Sequence, residues 1–217
     1  MDLKERISID VAKALLSVKA VFLRPSEPFT WASGIQSPIY CDNRIVLGFP
    51  KTRDIIEKAI ASVLELEYKD AEILMGTSTA GIPHAAIVAD ILKMPMGYVR
   101  GDAKTHGRNN RIEGADSKGK KVVVIEDLIS TAGSSLEVVE ALKEAGADVL
   151  GILSIFTYGL KKGIDRLEAA NVKNVSLTDF DILSKVALEE GYISPKEYKM
   201  LKKFIQAPDD PSWQDAE

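Results

Sequence analysis

The chain is poor in the residues that build metal cages and covalent staples. Its 217 residues include one cysteine, Cys41, and two histidines, His84 and His106. A single thiol excludes an internal disulfide framework and a cysteine-built zinc site. Two imidazoles are too few for a histidine-built one. No apolar run reaches the roughly 18 residues that a membrane span needs. The opening Met1-Asp2-Leu3-Lys4-Glu5-Arg6 has no signal-peptide apolar core. The Gly-Lys-Ser/Thr ending of a P-loop and the Gly-x-Gly-x-x-Gly of a dinucleotide fold are both missing. A formal charge of −4 argues against a general nucleic-acid binder. The remaining figures, 46% hydrophobic and 28% charged with 15 Gly and 9 Pro, exclude disordered and low-complexity chains. The expectation is one cytoplasmic domain over residues 1–217, with no membrane or nucleic-acid partner.

Short apolar runs alternate with helical patterns, which predicts an α/β fold with a mostly parallel central sheet flanked by helices. Apolar residues at Ile7, Val11, Leu15 and Val18 predict a helix over 7–20. Further helices are expected over 52–66 and 83–92, the latter with Pro83 in its first turn. Strands are expected over 72–76, 96–99, 122–125 and 149–156. Ser134 and Glu137 have capping-box spacing, and the helix they open should stop at Gly146. Two segments break the rhythm. Residues 29–44, rich in turn formers, should form a small flap or hairpin. The C-terminal third holds one clear helix, opened by Ser194-Pro195-Lys196-Glu197 and running towards Gln206, before a frayed tail over 207–217 in which Trp213 carries no signal. In such sheets ligands sit beyond the carboxyl ends of the strands.

The most informative stretch is Val122-Val123-Val124-Ile125-Glu126-Asp127-Leu128-Ile129-Ser130-Thr131-Ala132-Gly133-Ser134. Four apolar residues bury a strand, and two carboxylates stand where it emerges. A hydroxyl-rich turn then runs into a helix, whose N-terminal N–H groups make an anion cradle suited to phosphate. The two carboxylates suit the vicinal hydroxyls of a sugar, or the outer shell of Mg²⁺. Capping alone accounts for Ser134 and Glu137, but not for paired acids at a buried strand's end.

One strand earlier lies a loop of nearly twenty residues, 100–119, without apolar period. It carries Arg100, Lys104, His106, Arg108 and Arg111, with Gly101, Gly107 and Gly114 as hinges. Loops this long in compact domains are usually functional or disordered. A cationic loop in a negatively charged protein, next to an acidic sugar motif, reads as a lid over a pyrophosphate. Elsewhere, His84 reads as a satisfied packing histidine, Cys41 as a small buried residue and Trp31 as packing or a stacking platform.

The acidic stretch resembles the phosphoribosyl pyrophosphate motif of type I phosphoribosyltransferases. Arg100-Gly101-Asp102-Ala103-Lys104-Thr105-His106-Gly107 resembles the catalytic loop of the orotate phosphoribosyltransferases among them. The block from Pro28 to Tyr40 is similar to that family's base-binding hood, and Gly76-Thr77-Ser78-Thr79-Ala80-Gly81-Ile82-Pro83 to its pyrophosphate-side loop. The resemblance implies a type I phosphoribosyltransferase-like fold with a hood over about 20–45 plus C-terminal elements. It also implies transfer of phosphoribosyl to orotate, in UMP synthesis, by a homodimer whose loops reach across the interface. Glu126 and Asp127 would engage the ribose, while Leu128, Ile129, Ser130, Thr131, Ala132, Gly133 and Ser134 would bind the phosphoribosyl moiety. Arg100, Lys104 and His106 would neutralise the leaving pyrophosphate. Ser130, Ile39 and Tyr40 would meet orotate. Mg²⁺ would be held through pyrophosphate and ribose, with Asp127 the one candidate for direct contact. Gly101, Ala32 and Ala80 stand where many relatives carry lysine, and Phe156-Thr157-Tyr158-Gly159 where many carry an arginine that meets orotate. The base carboxylate is then left to backbone amides, Ser130 or Arg44. A purine phosphoribosyltransferase should lack the Lys-x-His-Gly loop and this hood. A non-catalytic phosphoribosyl pyrophosphate sensor should show a basic face or an added DNA-binding domain.

Overall fold

A computed structural model describes residues 2–30, 34–101 and 111–215. The chain opens with α1 (Leu3–Ser17), capped by the Asp2 carboxylate, which accepts the Glu5 N–H at 2.8 Å. Four short strands follow: β1 (Val21–Leu23), β2 (Phe29–Thr30), β3 (Gln36–Ser37) and β4 (Ile39–Cys41). They pair as two small antiparallel units, β1 with β4 and β2 with β3, and make the hood. A 3₁₀ turn, Asn43–Gly48, leads to α2 (Pro50–Glu67). Then come β5 (Ile73–Thr77), α3 (Gly81–Leu92), β6 (Met96–Val99), β7 (Ile112–Gly114), β8 (Lys121–Ile129), α4 (Gly133–Glu144) and β9 (Asp148–Thr157). The chain closes with α5 (Lys161–Ala169), β10 (Asn174–Asp179), α6 (Phe180–Glu189), α7 (Pro195–Gln206) and a 3₁₀ turn at Pro211–Asp215.

The central sheet runs β10-β9-β8-β5-β6-β7, parallel except where β7 pairs antiparallel with β6. Its inner strands are apolar without interruption because both faces are covered. Val123, Ile125, Leu74 and Leu153 join the core beneath α1, α2, α3 and α6. Their neighbours Val122, Val124, Ile73 and Ile152 join a second core beneath α4 and α5. This is the period-two alternation of a strand, with each set of side chains meeting its own helix layer. No helix among the described residues is long and apolar enough to cross a membrane.

Five expectations need correction. The segment over 100–119 is not one loop, because residues 112–114 form β7 in register with β6. Three residues are too few to show a period. The pairing depends instead on a close backbone approach, since a Cβ on Gly114 would lie 2.7 Å from the Gly97 Cα. The capping box at Ser134 does not form. α4 starts two residues earlier than that box requires, after Ala132 in a left-handed conformation (φ 59°), with no side-chain cap. The C-terminal third resumes the α/β rhythm through α5, β10 and α6. The tail is docked rather than frayed as far as residue 215: Trp213 is buried and meets the Phe204 ring edge-on at 5.7 Å. His84 is buried as expected but only half satisfied. Its Nδ1 lies 2.7 Å from Glu57 Oε1, while His84 Nε2 and Glu57 Oε2 have no partner among the described residues.

Candidate active site

The carboxyl ends of β8 and β5 open into a cleft of about 430 Å³. Glu126 and Asp127, towards the carboxyl end of β8, line it, and their environments differ. The Glu126 carboxylate is buried and surrounded by donors. Its Oε1 accepts the Thr77 hydroxyl and the Asp127 N–H, each at 2.9 Å. Its Oε2 accepts the Ser135 hydroxyl at 2.8 Å. Three donors on one buried carboxylate fix its orientation and bind β5, β8 and α4 together. Asp127 is half-buried and faces the cleft. Burial, then its hydrogen bond and charge contact with Glu126, push its carboxyl up from 3.8 to about 7, against a smaller opposing pull from Arg44.

On the β5 side, the turn over 77–80 lines the cleft and contains a cis Ser78–Thr79 peptide. Ser78 Oγ donates to the Val99 carbonyl at 2.6 Å. Gly81 lets α3 start directly against β8, since a Cβ there would lie 2.3 Å from the Ile125 carbonyl oxygen. Arg111 also lines this side, with its Nε donating to the Arg100 carbonyl at 3.1 Å. Arg100 itself pairs with Glu113 at 3.7 Å, beside the Gly101 that reaches the cleft.

The hood meets the other side of β8. Cys41 N–H donates to the Tyr158 hydroxyl just beyond β9 at 3.1 Å. Asn43 Nδ2 donates to the Asp127 carbonyl at 2.6 Å, and Cys41 Sγ donates to Asn43 Oδ1 at 3.3 Å. Burial pushes the Cys41 thiol well up, so it stays protonated and acts as a donor. Asp42 and Arg44 are carried to the cleft by this anchor.

The turn after β8 is held from outside by α5. A Cβ on Gly163 would lie 2.5 Å from the Ser130 carbonyl oxygen, so only glycine allows this approach. Arg166 Nη1 donates to the Thr131 carbonyl at 3.1 Å.

Of the residues from Glu126 to Ser134 expected to bind the phosphoribosyl moiety, Glu126, Asp127, Leu128 and Ser134 line the cleft. Ser130, Thr131 and Ala132 form the adjoining turn and Gly133 opens α4, while the Ile129 side chain is in the core. Ile39 is also fully buried in the core, and Tyr40 is exposed outside the cleft lining, against Phe29. Lys104, His106 and Arg108 lie outside the described residues, as does Trp31.

Residues 47–189 match the phosphoribosyl transferase domain. The orotate phosphoribosyltransferase of Listeria monocytogenes is 57% identical over 203 residues, covering 94% of this chain and 97% of that protein. The chain belongs to the orotate phosphoribosyltransferase family. The Bacillus pumilus member is 55% identical over 94% of this chain and 96% of its own length. Among solved structures, the orotate phosphoribosyltransferase of Aeropyrum pernix superposes with a TM-score of 0.73 at 29% identity, over 85% of this chain and 99% of that one. UMP synthase of Leishmania donovani gives 0.79 at 26% identity over 92% of this chain, which spans 42% of that longer protein.

For an orotate phosphoribosyltransferase, the sequence reading missed the supporting residues. Thr77 and Ser135 had a readable signal, as hydroxyls beside an apolar strand and a helix start. Asn43, Gly163 and Arg166 had none, because their partners lie 84, 33 and 35 positions away and only the fold joins them.

Proposed function

We propose that this protein transfers the 5-phosphoribosyl group from phosphoribosyl pyrophosphate to orotate, giving orotidine 5′-monophosphate and pyrophosphate in pyrimidine biosynthesis. The observation that carries this reading is the divided acidic pair at the end of β8, with one carboxylate locked by three donors and the other facing the cleft. Asp127 would bind the ribose hydroxyls, held in place by Glu126 behind it. The turn Ser130–Ser134 would take the 5-phosphate, and the turn over 77–80 with Arg100, Lys104 and His106 would take the pyrophosphate. Orotate N1 attacks the anomeric carbon as the bond to pyrophosphate breaks, with inversion through an oxocarbenium-like state, and the N1 proton is released to solvent. Catalysis is then positioning and charge stabilisation, with water kept from the activated sugar.

Among the described residues no group of three or more His, Cys, Asp or Glu could cage a metal. Within the acidic pair, Glu126 has both oxygens engaged, and only Asp127 presents a carboxyl to the cleft. This donor set would suit a Mg²⁺ brought in with the ligand, and Asp127 is the residue of the pair that would hold it. When bound, Mg²⁺ neutralises charge on the departing pyrophosphate.

The reading also includes a cytoplasmic homodimer with loops reaching across a two-fold interface. Mixing subunits carrying Lys104→Ala with subunits carrying Asp127→Asn should then restore roughly a quarter of normal activity, by symmetry and random exchange. The activity itself is tested by incubating the protein with phosphoribosyl pyrophosphate, Mg²⁺ and a panel of bases while following orotate absorbance. Turnover of a purine without turnover of orotate would refute the assignment.

A further inference from the structure

An in-line displacement places the incoming base on the face of the ribose opposite the departing pyrophosphate. The sheet order fixes which wall that is. β5 and β9 flank β8 on opposite sides. The turn over 77–80 and Arg111 belong to the β5–β6–β7 side. The hood belongs to the β9 side, tied there by Cys41 to Tyr158 and by Asn43 to the end of β8. With pyrophosphate on the first wall, the base meets Cys41, Asp42 and Arg44 on the second.

Arg44 is the only cation on that wall among the described residues lining the cleft. Its guanidinium is already oriented. Nε donates to Asp42 Oδ1 at 2.6 Å and Nη2 to Asp42 Oδ2 at 2.8 Å. Asp42 thus occupies one edge of the planar fork and leaves the Nη1/Nη2 edge open, with no hydrogen bond to it from the described residues. An open guanidinium edge, held flat by a carboxylate behind it, is the geometry that takes a second carboxylate through two parallel N–H···O bonds.

We propose that Arg44 is the specificity-determining residue that reads the carboxylate of the base, with Asp42 as its positioning residue. This rests on the orotate reading above and on the place of Arg44 in the cleft lining beside Asp42. Uracil lacks only that carboxylate, so Arg44 separates the two bases.

The test is direct binding of orotidine 5′-monophosphate and of uridine 5′-monophosphate, which differ by the carboxylate alone, to the full-length protein by calorimetry. Wild type should prefer the carboxylated nucleotide. Arg44→Ala should cut that preference by about 10- to 100-fold, the range for a charge-assisted contact. Its affinity for uridine 5′-monophosphate and its thermal midpoint should stay at wild-type values. Arg44→Lys should recover part of the preference, and Asp42→Asn should lose a smaller part of it. A preference retained in Arg44→Ala overturns the proposal, as does an equal loss of both affinities. Wild type with no preference and no orotate turnover overturns the functional reading as well, which separates the two failures.

Discussion

On the proposed reading, Asp127 sets stability against activity, and replacing it with asparagine should expose both. Its carboxyl is pushed from 3.8 in the unfolded chain to about 7 in the folded one by burial and by Glu126. Between those values the native state holds a proton that the unfolded chain has released, so stability falls as pH rises. At about 1.36 kcal/mol per unit the full effect has a ceiling of about 4 kcal/mol, with about 2.5 kcal/mol of it falling between pH 5 and pH 8. Partial solvent access lowers both figures. Asparagine has no charge to bury, and its amide can donate to the Glu126 carboxylate where aspartate repels it. The main-chain bonds at this position, the N–H to Glu126 and the carbonyl to Asn43, survive the change. Denaturant unfolding of wild type and Asp127→Asn at pH 5 and pH 8 measures the effect. The variant should match wild type within about 1 kcal/mol at pH 5 and gain about 1–2.5 kcal/mol relative to it between pH 5 and pH 8, while losing phosphoribosyl transfer. Parallel pH dependences in the two proteins would refute the reasoning.

Gly81→Ala should cost about 1–3 kcal/mol, because its Cβ meets a backbone oxygen that cannot step aside. Activity should fall with it, since the Thr77 hydroxyl that the same Cβ crowds is a ligand of Glu126; unchanged melting and turnover would contradict the packing argument. Trp213→Ala should cost about 3–5 kcal/mol by emptying a buried site against Phe204, read as a fall of several degrees in melting temperature with KM for both substrates unchanged. Lys104→Ala should lower kcat by about 10²–10³-fold with little change in KM, as expected for charge met only as the bond breaks; a raised KM at constant kcat would assign it to ground-state binding.

The inner strands were legible because both of their faces are buried, which turns β5, β8 and β9 into apolar runs. β10 is an edge strand, and Ser176 and Thr178 dilute its apolar set to a weak alternation, so it was missed. β7 was missed because glycines rather than apolar side chains make its pairing possible. The acidic pair could be read as a pair, but its division of labour could not. That division is set by Thr77 from another strand and by Ser135, which faces Glu126 only because α4 begins at Gly133. The same early start took Ser134 out of the capping position that its spacing to Glu137 suggested, and left it facing the cleft. Trp213 had no context in sequence, since its partner is on a helix packed beneath the tail.

The brace that α5 applies to the turn after β8 also sorts the polarity of that turn. Gly163 draws in close to the Ser130 carbonyl, and Arg166 holds the Thr131 carbonyl. In a trans peptide the N–H points opposite to the carbonyl. With both oxygens turned towards α5, the N–H groups of Thr131 and Ala132 point away from it. The left-handed Ala132 bends the main chain there into the concave shape that anions favour. An anion approaching from that side meets donors without an opposing row of carbonyl oxygens. The turn is electrically one-sided, and a helix remote from the acidic pair in sequence makes it so.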